Sequence, residues 1–169
     1  MAGRWDTPGF PHKGWTHCYV EDLGAPTHRC DMCGIERVRF AHRMQHHTLP
    51  QALLVGRTCA AKMTDPYYTT AQVVADREDQ LRRRAGRRRT WTARGWERSI
   101  FRPGAKRVVV DKKEFVVFPC PDGYRGQVIE QVTGEVIGGG KVFANWQQAA
   151  LAMFDWCWPA KVPGEEGKA

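Results

Sequence analysis

The 169-residue chain lacks any apolar run near the roughly 18 residues a membrane-spanning helix requires, which argues against a helical membrane protein. Its opening, MAGRWDTPGFPHKGW, has no apolar core followed by a small-residue cleavage site, so it does not read as a secretory signal. A cytoplasmic protein is therefore expected, in a compartment where thiols stay reduced and disulfides are rare. Pairing the six cysteines as three bridges would need an oxidising environment that nothing here indicates. The chain also lacks an internal repeat and an evident acid–base constellation, so an enzyme is not expected.

What is present is an ordinary hydrophobic content of 42%, seven tryptophans to anchor a core, and a length that suits one domain or two small ones. The formal charge of +8 is unevenly placed. Between Ala75 and Arg107 there are twelve Arg or Lys against four Asp or Glu, so this stretch carries the whole excess and the rest balances. A concentrated cationic segment points to an acidic partner, either nucleic acid or an acidic protein surface.

Three cysteines and three histidines fall in RCDMCGIERVRFAHRMQHHTLPQALLVGRTCAAKM, residues 29–63. The Cys30-x-x-Cys33-Gly34 turn can aim two thiolates at one point, as a tetrahedral zinc site requires. RVRFAHRMQH alternates, with Val38, Phe40, His42, Met44 and His46 on one face, and predicts a strand buried on that face. Arg37, Arg39, Ala41, Arg43 and Gln45 would face outward. HTLPQ turns the chain, ALLVG returns as the second hairpin strand, and Thr58 is placed to cap a short helix, CAAKM. The return brings Cys59 back beside Cys30 and Cys33 as a third ligand. His42 and His46 are four apart, about 13 Å along a strand, so only one can reach a given zinc. His42 lies nearer the level of Cys59 and is the expected fourth ligand, with His46 as its alternate. His17, Cys18 and His28 are weaker candidates.

Other readings of these residues predict other surroundings. A redox Cys-x-x-Cys needs a strand before it and a helix after it, and here a strand follows. A catalytic zinc keeps an open position and a neighbouring carboxylate, and the nearest acid, Glu36, has no evident partner. A structural zinc ion is the expectation.

The pattern CDMCG…RVRFAHRMQH…LLVGRTCAAKMT, followed by RRRAGRRRTWTARGWERS, resembles a group of small bacterial and mobile-element proteins. These share a Cys-x-x-Cys-Gly knuckle, a His-x-Met-x-His strand, a Val-Gly-x-x-Cys-Ala-x-Lys-Met return and a basic helix with spaced tryptophans. The resemblance covers residues 29–99 and implies a phage or mobile-element origin. Knuckle, hairpin and short helix also resemble a treble-clef zinc finger, with Lys62 standing where that fold has a second helical ligand.

Thr69, with Gln72 three residues on, is placed to cap the segment that follows. Leu81, Ala85, Thr92 and Trp96 share a stripe, while Gly86 and Gly95 predict two helices or a kink. Arg82, Arg83, Arg84, Arg87, Arg88, Arg89, Arg94 and Arg98 cover most of the helix circumference and are the candidate phosphate-binding residues. Trp91 is a candidate for stacking on exposed bases, whereas Trp96 reads as core.

The last third changes period: RVVVD, EFVVFP, GQVIEQ and EVIGG with KVF read as strands, with turns at PDG and TG. NWQQAALAMFDWC begins with Asn145 and Gln148 as a capping box, and Trp146, Ala149, Ala150, Met153, Phe154 and Cys157 recur at helical spacing. This module resembles, in topology, the sheet-plus-helix modules of some integrase DNA-binding domains, in which the sheet face reads the groove.

The expected fold is α+β: a treble-clef-like zinc finger hairpin, a basic helical linker, and a small antiparallel sheet packed with one C-terminal helix. The expected divisions are a flexible N-terminus (1–14), the finger (15–68), the arginine-rich helical segment (69–102), the sheet-plus-helix module (103–158) and a disordered tail (159–169). The expected function is a zinc-stabilised nucleic-acid-binding accessory protein, bound to DNA or RNA and not to a membrane. The alternative is a protein-binding modulator or inhibitor docking on an acidic surface of a host complex.

Overall fold

The computed structural model describes residues 3–165 and shows a mixed α+β chain. In chain order it has β1 (Thr16–Asp22), β2 (His28–Arg29), β3 (Arg37–Val38), β4 (Phe40–Gln45), β5 (Leu53–Val55), α1 (Arg57–Met63) and α2 (Ala71–Arg89). These are followed by β6 (Glu97–Arg98), β7 (Lys106–Val110), β8 (Lys113–Cys120), β9 (Gly123–Glu130), β10 (Val136–Gly138), α3 (Trp146–Cys157) and β11 (Lys161–Pro163). No helix among the described residues is long and apolar enough to cross a membrane. The chain divides into two units, one of residues 1–84 with 160–169 and the other of residues 85–159. The division thus falls within α2, and the arginine-rich segment is not a separate linker.

In the first unit, β11, β1, β4 and β5 form an antiparallel sheet in that order, while β2 and β3 pair apart as the knuckle hairpin. The predicted alternation holds for Phe40, His42 and Met44, which are buried, but Ala41 is buried as well. Arg39 interrupts the strand between β3 and β4, and β4 is covered on both faces. Phe40 clusters with Val20 and Leu81, whereas Ala41 clusters with Val55, Ala60 and Met63.

Both ends of this unit are more ordered than their composition suggests. Trp5 and Phe10 pack on the core, and the Arg4 N–H donates to the Met32 carbonyl at 2.6 Å, so residues 3–14 are not a loose leader. Residues 161–163 pair with β1 instead of forming a free tail. Of the predicted tail, residues 166–169 lie outside the described residues. Two expected caps also move. α1 starts at Arg57 after Gly56, not at Thr58, and the Val73 N–H at the start of α2 is accepted by Thr70 Oγ1, not Thr69. Thr69 instead donates to the Glu165 carboxylate. Gly86 does not break α2, because one helical glycine costs only about 1 kcal/mol.

The second unit is a five-stranded antiparallel sheet, β10-β9-β8-β7-β6, against which α3 packs. Asn145 caps α3 as predicted, its side chain accepting from the Gln148 N–H at 2.9 Å. Residues 141–143 do not form the expected strand; Phe143 makes only an isolated bridge to Tyr124. The β7–β8 turn, Asp111 and Lys112, has positive φ at both residues (51° and 61°), the signature of a hairpin turn matched to strand twist. Phe115, Val117 and Val128 face Ala149, Ala150, Met153 and Phe154, with Trp91 at the centre of the cluster.

Candidate metal centre

The Cys30–Cys33 turn is built by short-range bonds. The Cys30 N–H donates to the Glu36 carbonyl at 2.8 Å, and the Gly34 N–H to the Cys30 carbonyl at 2.9 Å. Gly34 has φ 70°, a left-handed conformation that favours glycine. Asp31 joins this turn to β5: its N–H donates to the Leu54 carbonyl, and its Oδ2 accepts from the Leu54 N–H at 2.7 Å. Because β5 leads directly into α1, the third residue of that helix, Cys59, is delivered to the knuckle.

The sulfurs of Cys30, Cys33 and Cys59 all lie within 4.8 Å of one another. The Gly56 N–H donates to Cys30 Sγ at 3.5 Å. Burial opposes ionisation of the Cys33 thiol, but N–H groups of Glu36 and Ile35 bond its sulfur and hold it below the usual thiol range. Cys59 is pushed up to about 12, chiefly by burial, and further by the negative charge of Cys30 and Cys33. The Trp5 indole N–H, donating to the Cys59 sulfur, opposes that rise. Three crowded thiolates repel one another, and a divalent cation that bonds to all three removes both the repulsion and the burial penalty. The donor set therefore fits a thiophilic metal ion.

The structure does not bring either predicted histidine into this group. Among the described residues, the only histidines, cysteines or carboxylates gathered at the site are the three cysteines. His46 hydrogen-bonds Thr48 Oγ1 at 2.7 Å and packs on Trp15. His42 has both ring nitrogens engaged elsewhere. Arg77 Nη1 donates to His17 Nδ1 at 2.6 Å, His17 Nε2 donates to His42 Nδ1 at 2.9 Å, and His42 Nε2 donates to Glu78 Oε2 at 2.7 Å. Arg82 closes the series from the other side, donating to Glu78 Oε1. A guanidinium at one end and a carboxylate at the other leave one consistent arrangement, in which both imidazoles are neutral and carry their proton on Nε2. The hairpin register explains the outcome: His42 pairs opposite Val20 and Val55 and so lies beneath α2, not beside Cys59.

Burial first, then the repulsion a second proton would meet from a cationic His42 and from Arg77, holds His17 down at about 3. Burial disfavours the Glu78 carboxylate, but hydrogen bonds from His42 and Arg82 outweigh it and keep its pKa below the usual range. Of the weaker candidates, Cys18 is buried on β1 and His28 bonds Asp31 at 3.1 Å. Sequence reasoning missed Trp5, Arg77 and Glu78 as participants. Only the aromatic at position 5 hinted at an anchored N-terminus, and nothing distinguishes Glu78 from its neighbours Asp76 and Asp79.

The candidate phosphate-binding residues divide by exposure. Arg83, Arg89, Arg94 and Arg98 are exposed. Arg82, although exposed, is engaged with Glu78 and lies over the Phe40 ring. Arg84 is buried near the charge of Asp22. Arg87 pairs with Asp111 and lies over Trp158, and Arg88 forks onto Asp155 at 2.9 and 3.0 Å. Trp91 is fully buried and donates its indole N–H to the Ala150 carbonyl at 2.9 Å, so it cannot stack on a base. Trp96 joins the same core, as expected, edge-on to Trp91 and Trp146.

Compared with known protein families, curated proteins and solved structures, the chain matches none.

Proposed function

We propose that the chain is a zinc-stabilised nucleic-acid-binding accessory protein of the cytoplasm, one that binds and does not catalyse. The observation that carries the metal half is the convergence of Cys30, Cys33 and Cys59 from a knuckle and a helix start separated by a hairpin. That order of elements supports a treble-clef-like finger in which zinc clamps two distant stretches of chain. Three thiolates supply three of the four positions zinc prefers. The nucleic-acid half is supported by the +8 charge and by the exposed Arg83, Arg89, Arg94 and Arg98. Guanidinium groups bond phosphate oxygens in pairs, and releasing condensed counterions drives the association.

Two measurements test the reading. The purified protein should contain one zinc per chain, and Cys30→Ser with Cys59→Ser should abolish it; stoichiometric zinc surviving both changes refutes the ligand set. Binding to short DNA and RNA duplexes and single strands should weaken steeply as salt rises. Changing Arg83, Arg89, Arg94 and Arg98 to alanine should make that slope shallower by about one unit for each phosphate left without its guanidinium. A protein that binds no nucleic acid at low salt, yet captures an acidic protein, would be the docking modulator instead.

A further inference from the structure

The first unit has a cleft of about 250 Å³, walled by Arg37, Arg39, Phe40, Arg57, Glu78 and Arg82. That is smaller than the roughly 300–1,000 Å³ of pockets that enclose whole organic ligands, and suits one small anionic group. The four arginines play different parts. Arg39 is forked onto Asp22 at 2.8 and 3.1 Å, and Arg82 onto Glu78. Both guanidiniums also lie over the Phe40 ring, at 5.1 and 4.6 Å from its centre, so they make a fixed wall.

The other two are available. Arg57 meets Asp79 only at 3.4 Å, with both side chains nearly half exposed (46% and 44%), a pairing that contributes little. Arg37 is exposed and makes no ion pair among the described residues. The acids of the cleft do not oppose an entering anion strongly. Four guanidiniums line the cleft against two carboxylates, Glu36 and Glu78, and Glu78 is already bonded by His42 and Arg82.

We infer that this cleft is a phosphate subsite, in which Arg37 and Arg57 grip one phosphodiester of a bound polynucleotide. The inference rests on the nucleic-acid reading and places a contact in the finger itself, outside the arginine-rich segment. A phosphodiester presents tetrahedrally arranged oxygens to forks arriving from two elements, β3 and the start of α1.

The test has two arms, both on the full-length metal-loaded protein. In the first, inorganic phosphate is titrated while the arginine Nε–H resonances are followed by NMR. Saturable shifts are expected at Arg37 and Arg57, and at neither Arg83 nor Arg89. No shift at Arg37 and Arg57, or equal shifts at every exposed arginine, overturns the subsite. So does saturation of the same two resonances by a glutamate-rich peptide but not by phosphate. In the second arm, Arg37→Ala with Arg57→Ala should lower the affinity for a 12-nucleotide single strand by roughly 3- to 10-fold and reduce the salt slope by about one to two. Arg37→Lys with Arg57→Lys, which keeps the charge and the fold, should retain part of it. Unchanged affinity and slope overturn the subsite while leaving the arginine-rich segment as the binding surface. If no nucleic acid binds the wild type at all, the wider reading fails, and the phosphate titration still decides the cleft.

Discussion

The two units of this chain keep their interiors together by different chemistry. The second has a core of aromatic and aliphatic groups: Trp91 is edge-on to Trp96, Phe115, Phe154 and Trp158, and backbone carbonyls accept the indole protons of Trp91 and Trp96. The first has an apolar core as well, but embeds in it three thiols and a five-membered polar series, Arg77–His17–His42–Glu78–Arg82. Apolar burial is insensitive to pH and metal. Buried thiolates and imidazoles are not, because each is stable only in one protonation or ligation state. The first unit's stability is therefore conditional on its surroundings, and the second's is not.

On the proposed zinc reading, the largest expected effect follows from removing the ion. Structural zinc contributes on the order of 10 kcal/mol to the folding of small fingers. Chelation, or Cys30→Ser, should abolish hydrogen-exchange protection across Cys30–Met63 while leaving the near-ultraviolet signal of the second unit's tryptophans. Protection that persists in a metal-free protein would erase the distinction between the units. Next comes Trp91→Ala, which should destabilise the second unit by about 3–5 kcal/mol, read as a lower denaturation midpoint for that unit with zinc stoichiometry unchanged.

Glu78→Gln should cost the first unit roughly 1.5–3 kcal/mol, the scale of weakening hydrogen bonds to a buried charged group. The same series sets a pH dependence. His17 has a folded pKa of about 3 against an ordinary 6.5, so its contribution is fully present above 6.5 and is lost as pH falls toward 3. Glu78, also depressed, adds a loss in the same direction at the acidic end. Urea midpoints should therefore fall with acid for the first unit, and His17→Asn should flatten that fall; a midpoint independent of pH from about 7 to about 4 would contradict it. The smallest effect belongs to Arg88→Ala. Its pairing with Asp155 is 39% and 40% exposed and should contribute no more than about 1 kcal/mol.

Much of the candidate metal centre was legible in the chain alone. The knuckle, the hairpin return and the meeting of Cys59 with Cys30 and Cys33 follow from local turn chemistry and period-two alternation, both written in adjacent residues. The Asn145 cap and the α3 stripe are equally local. The fourth-ligand expectation failed because it rested on height along a strand. Height does not say which face a histidine turns to, nor that Glu78, far along the sequence, waits above His42. Trp91 failed for a related reason, since a tryptophan in a basic run reads as a stacking residue unless a core is known to lie beneath it.

Spacing within a few residues, together with composition, was enough to set the local elements, the three converging thiols and the location of the charge. Which histidines pair with a carboxylate, which arginines stay exposed, and how residues 3–14 and 161–163 are drawn into the first unit were settled only by folding. Those outcomes depend on which side chains compete for the same buried space and the same protons, and that competition exists only once distant segments are in contact.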